Sequence, residues 1–288
     1  MTAPRPVSEH IGQFFWEGHR LEYTEYGAGR RLVVLLHGQL MPRRMQQPLA
    51  RAMAAEGMHV VTLDLLGHGR SDRPADPLVY SMTAFGEQVV ALLDHLGAEQ
   101  AVVGGTSLGA NVTLEVAAIA PERVRGLLVE MPVLDNAVAA GMVVFGPMML
   151  CARYLPLTVR ALRLVTRAVP RGIVPFWAGI VLDTLDQQPG PMAAAMNGIV
   201  FGRIAPPSSL RRQITAPTLV VGHPADPVHP AADAAMLADE VPGARFVQAR
   251  NILEWRVSPD RLNAEAATFV AGCWDDSAED SRTGSGVT

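Results

Sequence analysis

The stretch Ala101-Val102-Val103-Gly104-Gly105-Thr106-Ser107-Leu108-Gly109-Ala110-Asn111-Val112-Thr113-Leu114 decides the fold. Residues 101–104 read as a short buried strand, and from Leu108 to Ile119 apolar residues recur at helical spacing. Between the two, Gly105-Thr106-Ser107-Leu108-Gly109 puts one hydroxyl on a strand-to-helix turn, with glycines two positions away on either side. Such a turn needs unfavourable backbone angles, and the glycines let strand and helix pass closely. Ser107 then stands above the sheet at a helix N-terminus, where the positive end of the dipole favours developing negative charge. A serine capping an ordinary helix fits the same five residues, so the flanking sequence has to choose.

Upstream, residues 13–27 read as two short strands around Gly18, and 32–36 as a buried strand ending at His37-Gly38. An amphipathic stretch at 42–56 carries Met45, Leu49 and Met53 at helical spacing, followed by a strand at 59–63 and a helix at about 83–96. Downstream come a strand at 124–130, then strands at 218–221 and 245–248 with helices at 231–241 and 258–271. This alternation predicts an α/β fold, a mostly parallel central sheet with helices on both faces. The texture changes between 136 and 213, where apolar residues, Met and Arg recur and prolines, among them Pro147, Pro156, Pro170, Pro175, Pro189 and Pro191, cut the chain into short segments. The expected organisation is a core domain from 1–135 and 214–274, a helical cap insertion at 136–213 and a disordered tail at 275–288.

The apolar run at 138–152 is shorter than the ~20 residues that span a bilayer and contains Pro147, so no transmembrane segment is expected. Arg153, Arg160, Arg163, Arg167 and Arg171 lie among Leu, Val and Tyr. They suit either a basic amphipathic face at a membrane surface or, more plainly, a cap whose apolar side covers the core and whose arginines are solvated. A cap this apolar points to an apolar small-molecule substrate.

Composition closes other routes. The 288 residues are 49% hydrophobic and 18% charged, a globular balance that excludes disorder for the bulk. A net charge of -4 gives no footprint for nucleic acid. All 24 basic residues are Arg, so a phosphate-loop lysine and a Schiff-base lysine are both ruled out. Cys151 and Cys273 lie far apart with no His/Cys cluster nearby, which suggests no disulfide, no thiolate metal site and a reducing, cytoplasmic compartment. Residues 1–12 show no apolar signal-peptide core, and no cofactor is implied.

Taken with the Ser107 turn, several further motifs in the same order resemble the α/β-hydrolase family over roughly residues 13–273. Residues 32–38 followed by Gln39-Leu40 are similar to the strand and His-Gly loop that precede the family's oxyanion residue. Asp64-Leu65-Leu66-Gly67-His68-Gly69-Arg70-Ser71-Asp72 is similar to the loop after its next strand, and Pro217-Thr218-Leu219-Val220-Val221-Gly222 with Asp226-Pro227 resembles the strand that ends in its acid. The resemblance implies Ser107 as nucleophile, Asp226 as the residue orienting an imidazole, and the backbone N–H groups of Gln39 and Leu108 as an oxyanion hole. His37, Gly38 and Thr106 become candidates to line the pocket. With Ser in place of Asp as nucleophile, an alkyl-enzyme route of the dehalogenase or epoxide-hydrolase kind is disfavoured.

One element of the family pattern is missing. The loop after the last strand, Gln248-Ala249-Arg250-Asn251-Ile252-Leu253-Glu254-Trp255, holds no histidine, and the last histidine in the chain is His229. His229, three residues beyond Asp226, starts from the correct edge of the sheet and is the leading substitute base; the plainer reading makes it a surface-loop residue. His37 and His68 are alternatives that more naturally hold loops. His223 and His229 flank Asp226 at a metal-like spacing, but the intervening prolines oppose a joint display and no metal is expected. Arg250 is an alternative partner for Asp226, Glu254 falls near the place of the missing base, and Asp135 is a candidate displaced acid.

Three functions remain open on the sequence alone. The leading one is a serine hydrolase or acyltransferase with an atypical or incomplete triad, acting on an apolar ester or thioester. The second is a catalytically impaired member whose pocket binds an apolar small molecule. The third is a lyase or cyclase step in which an oxyanion hole stabilises an enolate.

Overall fold

A computed structural model describes residues 7–134 and 136–275. Asp135 and the tail from 276 onward lie outside the described residues. In chain order the elements begin with β1 (Glu9–Trp16), β2 (His19–Tyr26), β3 (Leu32–Leu36), α1 (Gln47–Ala55), β4 (His59–Leu63), α2 (Met82–His95), β5 (Ala101–Thr106), α3 (Leu108–Ile119) and β6 (Val124–Glu130). They continue with α4 (Ala137–Tyr154), α5 (Pro156–Ala168), α6 (Phe176–Leu185), α7 (Pro189–Val200), α8 (Ser208–Arg211), β7 (Thr218–Gly222), α9 (Ala231–Glu240), β8 (Arg245–Gln248), α10 (Glu254–Val257) and α11 (Asp260–Cys273).

The strands form one eight-stranded sheet in the order β1-β2-β4-β3-β5-β6-β7-β8. β1 and β2 pair antiparallel, as do β2 and β4, and every later pair is parallel. The expected mostly parallel α/β sheet is therefore what the chain forms. Period-two alternation splits β3 between two cores: Leu32, Val34 and Leu36 join a cluster with residues of α2, α3 and α9, while Val33 and Leu35 join one with residues of α1 and α11. Both faces of the strand are buried, which is why it reads as an unbroken apolar run.

Local chemistry shifts some boundaries. The 42–56 stretch divides into a 3-10 turn at Arg43–Gln46 and then α1, because Pro48 fits the first turn of a helix but not its interior. The last helix, expected at 258–271, begins as α11 at Asp260 after Pro259, and the loop before it holds the short α10. The strand at 101–104 runs on to Thr106, carried by pairing with both β3 and β6.

All of α4–α8 lies between β6 and β7. Its packing differs from a cap whose apolar side simply covers the core. On α5 only Val159 and Thr166 are buried, while Leu157, Leu162, Leu164 and Val165 are exposed. Nor are the arginines uniformly solvated: Arg163 pairs with Asp186 at 2.8 Å and Arg171 with Asp183 at 2.7 Å. Among the described residues no single helix is long and apolar enough to cross a membrane; α4 and α5 together have the length and composition but are bent by 104°.

Candidate active site

Ser107 sits between β5 and α3 at φ 56°, a left-handed conformation that costs a side-chain-bearing residue strain energy. Its neighbours hold it there. A Cβ on Gly105 would lie 2.4 Å from the Gly109 carbonyl carbon, and one on Gly109 would lie 2.5 Å from the Leu36 carbonyl oxygen. The Ser107 N–H donates to the Glu130 carbonyl at 2.9 Å and the Gly109 N–H to the His37 carbonyl at 3.1 Å, pinning the turn to β6 and to the end of β3.

Facing it, the loop between β7 and α9 folds Asp226-Pro227-Val228-His229 into a tight turn. Asp226 Oδ1 accepts the N–H groups of Val228 and His229 at 2.8 and 2.9 Å, which fixes the turn. Oδ2 of the same carboxylate lies 3.0 Å from His229 Nδ1, and His229 Nε2 lies 2.8 Å from Ser107 Oγ. The geometry fits Ser107 O–H donating to Nε2 and Nδ1–H donating to Asp226. Burial pushes the Asp226 carboxyl up, but the side-chain and backbone hydrogen bonds from His229 outweigh it and hold it below its ordinary value.

A cleft opens on Ser107. Met82, Met142, Phe145, Met196 and Ile199 make much of its wall, and among the described residues no charged side chain lines it. Its polar groups differ in what they have left to give. The Asn111 amide is spent on Val133 and on the Ile204 carbonyl, tying α3 to the chain that leaves β6 and to the segment after α7. Both polar atoms of the Gln39 side chain are buried without a partner among the described residues. The backbone N–H groups of Gln39 and Leu108 likewise have no acceptor among the described residues.

The other sequence candidates take different places. His37, Gly38 and Thr106 stand behind the Ser107 turn and are not in the cleft wall. His37 is fully buried; the Leu65 N–H donates to its Nε2 at 3.1 Å, so Nδ1 carries the proton and donates to the Gly38 carbonyl at 2.9 Å. Burial lowers its pKa, and the ring holds two loops together. His68 packs against it with ring centroids 4.7 Å apart and planes tilted by 43°, its own pKa pushed well down, first by burial and then by His37. Arg250 does not pair with Asp226. It lies near Glu254, which is buried and engaged by Arg261 at 2.7 Å, so neither residue fills the role considered for it. His223 and His229 point to separate partners and do not share a ligand set with Asp226.

Sequence reading missed a buried polar cluster behind the nucleophile. Glu130, at the end of β6, accepts Thr106 Oγ1 at 2.5 Å, His223 Nε2 at 3.0 Å and Arg256 Nη2 at 2.8 Å. Thr106 in turn accepts from Gln46 at 3.1 Å. Burial pushes Glu130 up, but Arg256 and His223 outweigh it and hold the carboxyl at about 2. The signal was a carboxylate at the end of one fully buried strand and an imidazole at the end of its neighbour, where charge survives only if paired.

Comparison with known proteins agrees with this architecture. The profile of a family described as alpha/beta hydrolase fold matches residues 31–252. This chain belongs to the α/β-hydrolase fold family. A 2-hydroxymuconate semialdehyde hydrolase of Pseudomonas putida is 32% identical over 130 residues, 44% of this chain and 45% of that protein. The acetyltransferase component of an acetoin cleaving system from the same organism is 37% identical over 129 residues, 43% of this chain and 32% of that protein. The chain thus aligns with less than half the length of either relative. The solved enol-lactonase from Burkholderia xenovorans LB400 superposes with a TM-score of 0.72 at 21% identity, covering 90% of this chain and all of that one. Set against the α/β-hydrolase pattern, the loop after β8 carries no histidine and is packed with other contacts. Trp255 is buried and donates to Asn263, and Arg256 reaches back to Glu130.

Proposed function

We propose that this protein is a serine hydrolase of carboxylic esters or thioesters with apolar acyl groups, its base displaced into the loop after β7. In this reading His229 Nε2 takes the Ser107 Oγ proton as Oγ attacks the acyl carbon, and Asp226 stabilises the resulting imidazolium. The N–H groups of Gln39 and Leu108 receive the oxyanion, a role worth on the order of 3 kcal/mol per donor. Collapse of the tetrahedral intermediate expels the alcohol or thiol, which takes its proton from His229. Water, activated by the same imidazole, then releases the acid and restores Ser107.

The observation that carries this reading is the single chain of contacts from Asp226 through His229 to Ser107, at 3.0 and 2.8 Å. The apolar wall of the cleft supports an apolar substrate, and residues 136–213, as a cap, contribute Met142, Phe145, Met196 and Ile199 to it. Relatives named as hydrolases and an enol-lactonase favour cleavage at an acyl carbon. Two cysteines, Cys151 and Cys273, far apart in the sequence and away from any His/Cys cluster, suit a reducing, cytoplasmic setting.

The test is hydrolysis of 4-nitrophenyl esters of increasing acyl length by wild type and Ser107→Ala. Expected are a higher kcat/KM for medium chains than for acetate and a fall of about a thousandfold or more in the variant. Equal turnover by the two proteins would overturn the proposal.

A further inference from the structure

We infer that the α4–α5 elbow docks on an anionic lipid surface. Thirteen of the twenty-one large apolar side chains that are exposed among the described residues fall between Met142 and Phe201. Single exposed leucines are ordinary, but this concentration in one insertion is not.

The arrangement on α5 is directional. At 100° per residue, Leu157, Ala161, Leu164, Val165 and Ala168 share one stripe, and the two buried positions, Val159 and Thr166, lie on the opposite side. Leu157, Leu164 and Val165 are 73%, 72% and 65% exposed. Arg160 and Arg167 border the stripe. The helix thus turns an apolar face with a basic margin away from the protein, the pattern of a helix lying in a bilayer interface. α4 meets it at a bend of 104° and brings exposed Leu150, Tyr154 and Arg153 to the same corner.

Charge selects the occupant. Residues 136–213 hold eight arginines against two aspartates, while the whole chain is at -4. Both aspartates are already engaged with arginines. Arg153 and Arg160 have no ion-pair partner among the described residues, and together they line a second cleft, formed with Pro156, Pro189 and Asn197 and separate from the one at Ser107. A lipid phosphate supplies the missing anion and the acyl region supplies a medium for the leucines; a second copy of this surface could cover the leucines but would bring more arginines and no anion. The same helix α4 reaches the Ser107 cleft, where Met142, 43% exposed, lines the wall beside Phe145. Docking would set the cleft wall beside the bilayer whether or not Ser107 acts as a nucleophile.

The full chain is sedimented with vesicles of phosphatidylcholine alone or with about 30% phosphatidylglycerol, for wild type, Leu157→Asp/Leu164→Asp and Arg153→Glu/Arg160→Glu, with circular dichroism reporting folding. Expected is a bound fraction at least about fivefold higher on the anionic vesicles, reduced by 0.5 M salt and lost in both double variants. Wild type that stays in the supernatant with either vesicle, or binds both equally, overturns the inference. So does retained binding in both variants, or a dimer by light scattering that Leu157→Asp/Leu164→Asp dissociates while wild type ignores vesicles. If the leucine variant does not fold, the arginine variant decides alone.

Discussion

His229 is a loop residue whose ring is held on both sides, and that is what makes it more than a surface imidazole. Removing it as His229→Ala takes away the acceptor of the Ser107 proton and leaves the turn at Ser107 standing. Ester hydrolysis is therefore expected to fall about a thousandfold or more, measured as kcat/KM on a 4-nitrophenyl ester, with the circular dichroism spectrum unchanged. Gly109 has no such latitude. Gly109→Ala drives a methyl group against the Leu36 carbonyl, a backbone atom that cannot move aside, and is expected to cost about 2–3 kcal/mol in urea unfolding. At this scale the sequence was legible for the turn at Ser107, once the elements around its glycines were read with it, and for Asp226 in the loop that follows its strand. His229 was legible only as a candidate, because its orientation depends on two backbone hydrogen bonds to Asp226 that no spacing rule announces.

Among the elements, β6 and β7 end side by side with Glu130 paired in register to Val221, and the polar cluster at their ends is a stability device as well as a support for the Thr106-Ser107 turn. Its sign with pH follows from Glu130. The folded carboxyl is held at about 2 against an ordinary value of 4.5, so its contribution is complete above 4.5 and is lost as pH falls toward 2. Glu130→Gln should be markedly less stable than wild type in urea at about pH 7, and the gap should narrow at about pH 3.5. A gap that is constant with pH would remove the charge from this explanation. Strand and helix positions were legible because burial on both sheet faces and helical periodicity leave strong patterns. The short helix α10 was not, since four residues inside the expected loop are too few to show a periodicity.

For the molecule as a whole, Arg256 joins core and insertion. It donates to both Glu130 carboxylate oxygens, its guanidinium lies 5.3 Å from the Trp177 ring centroid, and its carbonyl accepts the Trp177 indole N–H. Arg256→Ala should destabilise the protein by about 3 kcal/mol, by leaving Glu130 with less than its full complement of positive partners, and should speed amide hydrogen exchange in α6. Unchanged exchange in α6 would confine Arg256 to the core. The insertion was legible in the sequence as a change of texture between two sheet halves. Which way its apolar faces point was not, because periodicity gives a stripe its width but not the partner it meets. Activation of Ser107 by His229 is read out by intact-mass labelling with a fluorophosphonate probe, since phosphonylation reports an activated serine without the natural substrate. Rapid single labelling of wild type, absent in Ser107→Ala and in His229→Ala, is the expected result; wild type that stays unmodified over hours, or His229→Ala labelled at the wild-type rate, would contradict it.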